Sequence, residues 1–178
     1  YAHASAGCLH IRPLVNLKTL QGRDQYRTIA DRVAETVQKY QGTITGEHGQ
    51  GLVRGEFSEY LFGADLMQAF REVKQAFDPD NMMNPGKIID SPPMDTAELL
   101  RYSPEYDVIP LHTRYDWSSD NGFSGAIEMC NGAGVCRKET VGTMCPSYQA
   151  TLDEAHSTRG RANALRAAMS GKLPDDIG

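Results

Sequence analysis

The sequence predicts an α+β fold for its first ninety residues, and three observations carry that expectation. Apolar residues recur at three-four spacing over 22–41, apolar and polar residues alternate from Leu9 to Arg12, and β-favouring Thr43, Ile44 and Thr45 run into a glycine-rich stretch. A chain of 178 residues is long enough to bury a real core. A net charge of -5 with dispersed Lys and Arg offers no basic face to nucleic acid or to an anionic membrane. No apolar run approaches the roughly 18 residues that a membrane helix needs, and no targeting segment is recognisable. Opening on Tyr-Ala-His and closing on Asp-Asp-Ile-Gly, the chain is expected to be an internal piece of a longer polypeptide.

In order, the opening YAHASAGCLHIRPLVNL becomes strand-like at Leu9 and Ile11, which period two places on one face, with His10 and Arg12 on the other. An unbroken strand would send His3 and His10 to opposite sides, and Gly7 offers the bend that reconciles them. Residues 22–41 form an amphipathic helix with Tyr26, Ile29, Ala30, Val33, Val37 and Tyr40 on its apolar stripe, and Gly42 stops it. A short helix is expected over 56–62 and another over 65–77, where Leu66, Phe70, Val73 and Phe77 share a stripe and Asp78-Pro79 ends it. In the turn-rich FDPDNMMNPGKI, Pro79, Pro85 and Gly86 fix the path and carry Lys87 on a rigid turn. A boundary is expected near 90, followed by a proline-marked linker over 91–121 in which only 96–102 is helical.

The chemistry concentrates in Gly46-Glu47-His48-Gly49-Gln50-Gly51, which sets a carboxylate and an imidazole side by side among three glycines. Glycines free the backbone for positive φ and close approach, which a strand meant only for packing does not need. With His3 and His10 upstream, Glu47 completes a His, His, carboxylate set that suits a divalent Zn, Mn, Fe or Co ion. Ordinary hydrogen-bonded histidines are the competing reading.

The last unit starts near 122 and is built on Cys130, Cys136 and Cys145-Pro146. Thr151-Leu-Asp-Glu154 has the form of a capping box, and a further helix from about Ser157 carries Ala162, Leu165 and Met169 on one face. Clustered cysteines separated by glycines, with proline after the last, suit iron-sulfur ligation, and a zinc site or inert thiols stay open. Such clustering is unlike a disulfide framework, so a reducing, cytoplasmic compartment is expected, with membrane association only through an electron acceptor.

Taken together, HASAGCLHIRP, GEHGQG, FDPDNMMNPGKI and CNGAGVCRKETVGTMCPSYQATLDEAHSTRGRANALR resemble the FAD-linked oxidases of the vanillyl-alcohol oxidase type. The likeness is to the branch of D-lactate, glycolate and D-2-hydroxyglutarate dehydrogenases, in members fused to an iron-sulfur oxidoreductase segment. The resemblance implies that 1–90 is the C-terminal part of the substrate (cap) domain, a sheet with helices on one face, and that 122–178 starts a helical ferredoxin-type domain. It further implies His3, His10 and Glu47 as ligands of the divalent metal and His48 as the base beside the flavin. Asn84, Pro85 and Lys87 then lie in the turn that faces the FAD, and Cys130, Cys136 and Cys145 are ligands of a 4Fe-4S cluster whose fourth cysteine is missing. Ser5, Ala6 and Cys8 stand where many relatives read Gly, Asp and Asn, so no substrate contact is carried over at those positions.

The implied reaction removes a hydroxyl proton from a 2-hydroxy acid and sends a hydride to FAD, with electrons leaving singly through the cluster. Arg12 and Arg54 are the candidates for the substrate carboxylate. A non-catalytic electron-transfer module, and a zinc hydrolase using Glu47 and His48, are the rival classes. Convergence of His3, His10 and Glu47 favours the metal site over the former, and flavin dependence separates the latter.

Overall fold

In the computed structural model, which describes residues 1–140, 142 and 144–173, the chain divides after Glu105 into two units, Tyr1–Glu105 and Tyr106–Gly178. Val141, Thr143 and 174–178, all within the expected iron-sulfur segment, lie outside the described residues.

The longest element of the first unit is α1 (Leu20–Lys39). It starts where Thr19 takes extended backbone and its hydroxyl accepts a hydrogen bond from the Gly22 amide at 3.0 Å. At its far end the left-handed position is taken by Gln41 (φ 56) rather than by Gly42, whose amide donates to the Val37 carbonyl at 2.6 Å. Ala34 packs with Phe57 and Met94 to form the core of this unit, and Tyr26, Ala30 and Ile44 close around it. The buried stripe therefore runs through Tyr26, Ala30 and Ala34, while Val33 and Tyr40 of the expected stripe stay exposed.

Met94 explains why this unit runs past the boundary expected near 90. Its amide donates to Glu56 Oε1 at 2.7 Å, and the other oxygen of Glu56 accepts from Arg27 Nη1 at 2.7 Å. One carboxylate thus ties the connector to α1, and Arg27 also pairs with Asp31 and Asp95. Of the helix expected over 96–102, only a 3-10 turn forms, at Ala97–Leu99.

The expected sheet with helices on one face is reduced, among the described residues, to a hairpin of β1 (Ala2–His3) and β2 (Cys8–Leu9). Leu9 and Ile11, expected on one face of a strand, are both 71% exposed, because β2 has no described sheet neighbour other than β1. Nor do Thr43–Thr45 form a strand. The Thr43 hydroxyl accepts from the Thr45 amide at 3.3 Å, a local bond that competes with a ladder.

A 3-10 turn at Gly55–Phe57 leads into α2 (Ser58–Phe62), and α3 (Ala64–Phe77) follows after Gly63. Phe62 meets Phe70 edge-on with ring centroids 5.9 Å apart. Met67 is the buried residue of α3, whereas Leu66, Val73 and Phe77 of the expected stripe are exposed. Phe70, Val73 and Phe77 instead line an open cavity of about 790 Å³ together with Met83, Ile88 and Ile89.

In the second unit α4 (Gly122–Glu128) packs on α6 (Thr158–Met169), with α5 (Pro146–Thr151) between them in sequence. Pro146 occupies the first turn of α5, where a missing N–H costs nothing. The capping box expected at Thr151 is not used. Thr151 ends α5, Asp153 caps a 3-10 turn at Glu154–His156, and Ser157 caps α6 by accepting from the Gly160 amide at 2.8 Å. Ile127, Tyr148 and Met169 are buried here, and Leu165 is exposed. No helix among the described residues is long and apolar enough to cross a membrane.

Gly22 gives a test of this packing. A Cβ at this buried helical position would lie 1.9 Å from the Asn16 carbonyl oxygen, which is backbone and has little room to withdraw. Exchanging a free helical glycine for alanine gains about 1 kcal/mol. Gly22→Ala is expected to lose stability instead, read as a lower denaturant midpoint at unchanged slope.

Candidate functional site

The hairpin pairs Ala2 with Leu9 and His3 with Cys8, and the His10 amide donates to the Tyr1 carbonyl at 2.9 Å. Residues opposed in an antiparallel pair share a face, so Tyr1, His3, Cys8 and His10 stand on the same side. A 3-10 turn at Ala4–Ala6 and left-handed Gly7 (φ 60) reverse the chain between them. The odd separation of the two histidines, which would part them on a single strand, is thereby what joins them, with ring centroids 4.9 Å apart.

The glycine-rich loop supplies the carboxylate. A Cβ on Gly46 would lie 2.5 Å from the Cys8 sulfur and 3.1 Å from its Cβ, so a side chain here would push the loop off the hairpin or turn the thiol away. Glu47 Oε2 then lies 3.3 Å from His3 Nε2, and Oε1 lies 3.1 Å from His10 Nε2. His48 joins the group through the same oxygen, its Nε2 3.1 Å from Glu47 Oε1. His10 is the anchored member, its side chain 21% exposed, and His48 the open one at 64%.

Ligand atoms of His3, His10 and Glu47 all lie within 4.8 Å of one another. Bonds of about 2.0–2.2 Å to one ion hold such atoms within about 4.4 Å, so a small side-chain rotation would close the set. Two imidazoles and a carboxylate suit Zn, Mn, Fe or Co.

Arg12 is exposed, its guanidinium 5.3 Å from the centre of the Tyr1 ring, across the hairpin from His10. Arg54 is half-buried and starts the turn into α2 by accepting from the Phe57 amide at 3.1 Å. Burial pushes the Tyr26 phenol up, and the Arg54 charge opposes it.

The turn carrying Asn84, Pro85 and Lys87 is tied to the end of the glycine-rich loop, for the Ile88 amide donates to the Gly51 carbonyl at 3.0 Å. Asn84 and Lys87 border the same cavity as Gly51 and Phe77. Asp78 organises this turn. Its carboxylate takes hydrogen bonds from Lys74 and from the amides of Met82 and Met83, at 2.9 and 2.8 Å for the amides. Lys74 first, then those amides, hold the carboxyl below the usual carboxylate range.

All four cysteines are free thiols. Cys130 and Cys136 line one cavity of about 490 Å³, and Cys145 is buried under the first turn of α6, where its sulfur accepts from the Thr158 amide at 3.2 Å. The roles of Thr158 and Arg159 escaped the sequence reading, although both stand at a helix start beside the cysteine segment. Cys8 escaped it too, and its signal was its place two residues from His10 on the same face.

Residues 1–88 match the family described as FAD linked oxidases, C-terminal domain. A D-2-hydroxyglutarate dehydrogenase of Escherichia coli is 38% identical over 172 residues, which cover 93% of this chain and 16% of that relative. One of the same name from Pseudomonas putida is 37% identical over 171 residues, with the same 93% and 16% coverage. The glycolate oxidase subunit GlcD of Bacillus subtilis is 33% identical over 91 residues, or 49% of this chain and 19% of that protein. The chain thus spans about a sixth of the length of the dehydrogenases it matches. No solved structure gives a significant match.

Asp78 makes the turn beside the glycine-rich loop sensitive to acid. A carboxyl with a depressed folded pKa contributes stability that is present above the unfolded value, about 3.9, and is lost as pH falls through the folded value. Asp78→Asn is therefore expected to be less stable than wild type at neutral pH, with the difference narrowing below about pH 4. Urea midpoints of both proteins across that range check it.

Proposed function

We propose that the full-length protein, whose residues 1–88 match the FAD-linked oxidases, oxidises a 2-hydroxy acid at a metal held by His3, His10 and Glu47. The observation that carries this reading is the convergence of two hairpin imidazoles on a carboxylate from a separate loop. That convergence speaks for a metal site over a module with structural histidines. D-2-hydroxyglutarate is the first substrate to try, because relatives so named match along both units, whereas the glycolate oxidase subunit matches about half of the chain.

A bound Zn, Mn, Fe or Co ion would supply Lewis-acid polarisation of the substrate hydroxyl, and FAD would supply the hydride acceptor. The chain's own residues do the rest. His3, His10 and Glu47 would hold the ion at the face of the hairpin, and the Glu47 carboxylate would offset part of its charge. His48, the most open of the group and held by Glu47 Oε1, takes the hydroxyl proton on its ring. Arg12 and Arg54 hold the substrate carboxylate from the two sides of sequence that flank the site. Asn84, Pro85 and Lys87 contact the flavin from the turn that Gly51 anchors. In the second unit Cys130, Cys136 and Cys145 would supply three ligands to an iron-sulfur cluster, which would offer a path for single electrons.

The reading is tested by purifying the full-length protein anaerobically, recording flavin and iron-sulfur absorbance, and screening D-2-hydroxyglutarate, D-lactate and glycolate with a dye acceptor. Turnover only with FAD bound is expected, and hydrolytic activity without flavin would point to the zinc hydrolase instead.

The division of labour between His48 and its neighbours has its own test. His48→Ala is expected to keep metal and flavin while losing roughly 10²- to 10⁴-fold in turnover, as removal of a positioned acid-base group does. Glu47→Ala is expected to bind metal more weakly and to recover part of its activity as metal is added. A His48→Ala protein turning over at the wild-type rate, or one stripped of its metal, would end the assignment.

A further inference from the structure

The positive charge beside the cysteines of the second unit is fixed by more contacts than packing calls for. Arg159, in the first turn of α6, borders the cavity that Cys130 and Cys136 line. Glu154 grips its guanidinium with both oxygens, Nε to Oε1 at 2.8 Å and Nη2 to Oε2 at 2.9 Å. The remaining arm, Nη1, donates to the Gly132 carbonyl at 3.2 Å. A Cβ on left-handed Gly134 (φ 73) would lie 3.0 Å from that arm, so this glycine leaves the arm its place.

Glu154 does not cancel Arg159 by itself, because Arg137 Nε lies 3.1 Å from Glu154 Oε2 as well. Two guanidiniums share one carboxylate, which leaves net positive charge beside the thiols. The charges of Cys136 and Cys130 are close enough to favour the charged form of Arg159. Cys145 is served by the preceding residue, its sulfur accepting from the Thr158 amide at 3.2 Å and the Thr158 hydroxyl at 3.5 Å. The first two residues of α6 therefore stand beside all three cysteines, and the Cys145 thiol also reaches the His156 carbonyl at 3.4 Å. The residues present fit an anionic thiolate-bound group.

Resting on the iron-sulfur reading given above, the geometry points to Arg159, locked by Glu154, as a positioning residue that raises the reduction potential of the group bound by Cys130, Cys136 and Cys145. The step is a one-electron transfer from the reduced flavin, in which no bond forms or breaks and the bound group gains one negative charge. A fixed cation at its edge stabilises the more negative state more than the less negative one, and the partly dry setting strengthens the effect.

The test is an anaerobic redox titration of the full-length protein followed by electron paramagnetic resonance, with iron content measured alongside. Arg159→Gln is expected to lower the midpoint potential, and Arg159→Lys to keep most of it. Glu154→Gln removes a negative charge from the same network and is expected to move the potential the other way. Should Arg159→Gln hold no iron, Glu154→Gln decides alone, a rise supporting the inference and no rise overturning it. Unchanged potentials in both glutamine variants, or equal losses in Arg159→Gln and Arg159→Lys, overturn it and leave the iron-sulfur reading standing. A wild-type protein without iron overturns both.

Discussion

The pairing of His3 with Cys8 across the β1–β2 hairpin is the contact on which the chemistry of the first unit depends. It turns His3 and His10 to one face, and it presents the Cys8 sulfur to Gly46, where a side chain would hold the loop away. Shift that register by one residue and the two imidazoles part to opposite faces, because side chains alternate with a period of two. Glu47 would then meet one imidazole of the hairpin instead of two. The ladder itself is only two residues long on each strand, so its register leans on the turn at Ala4–Ala6 and Gly7 and on the loop seated against Cys8.

The helices of this chain were legible because their signals are local. Three-four spacing places α1 and α3 within two residues of their observed starts, and the glycine-rich stretch announces Glu47 and His48 without help from elsewhere. What failed was the burial of their faces. Val33 and Tyr40 on α1, and Val73 and Phe77 on α3, are apolar at helical spacing yet exposed, since periodicity reports which face prefers cover and not what provides it. The sheet failed for a related reason. Strand pairing is non-local, and Thr43–Thr45 has β-favouring residues but settles into a side-chain hydrogen bond of its own. The position of Met94 in the core was equally hidden, because the Glu56 carboxylate that receives its amide is distant in sequence.

Local signals also compete with one another. Thr151 and Glu154 have the spacing of a capping box, but Ser157 stands closer to the helix that forms, and its hydroxyl takes the Gly160 amide. That outcome releases Glu154 from capping and leaves its oxygens for Arg159 and Arg137, while the hydroxyl of Thr151 meets His156 Nδ1 at 2.9 Å. A capping choice thus decides which charges stand beside the cysteines. The same three residues read from sequence alone carry no hint of this, since an Asp or Glu near a helix start is ordinarily explained by the helix dipole.

The two units set opposite signs of charge at their candidate sites, and the signs match what each is proposed to hold. In the first, a carboxylate faces three imidazoles, and among the described residues no guanidinium pairs with it, an arrangement that suits a cation whose charge Glu47 answers. In the second, two guanidiniums outnumber one carboxylate beside the thiols. Exchanging the occupants would leave each site frustrated: an anion at Glu47 would meet like charge, and a bare dication beside Arg137 and Arg159 would meet the same. Charge, more than spacing, is what separates the two candidate sites.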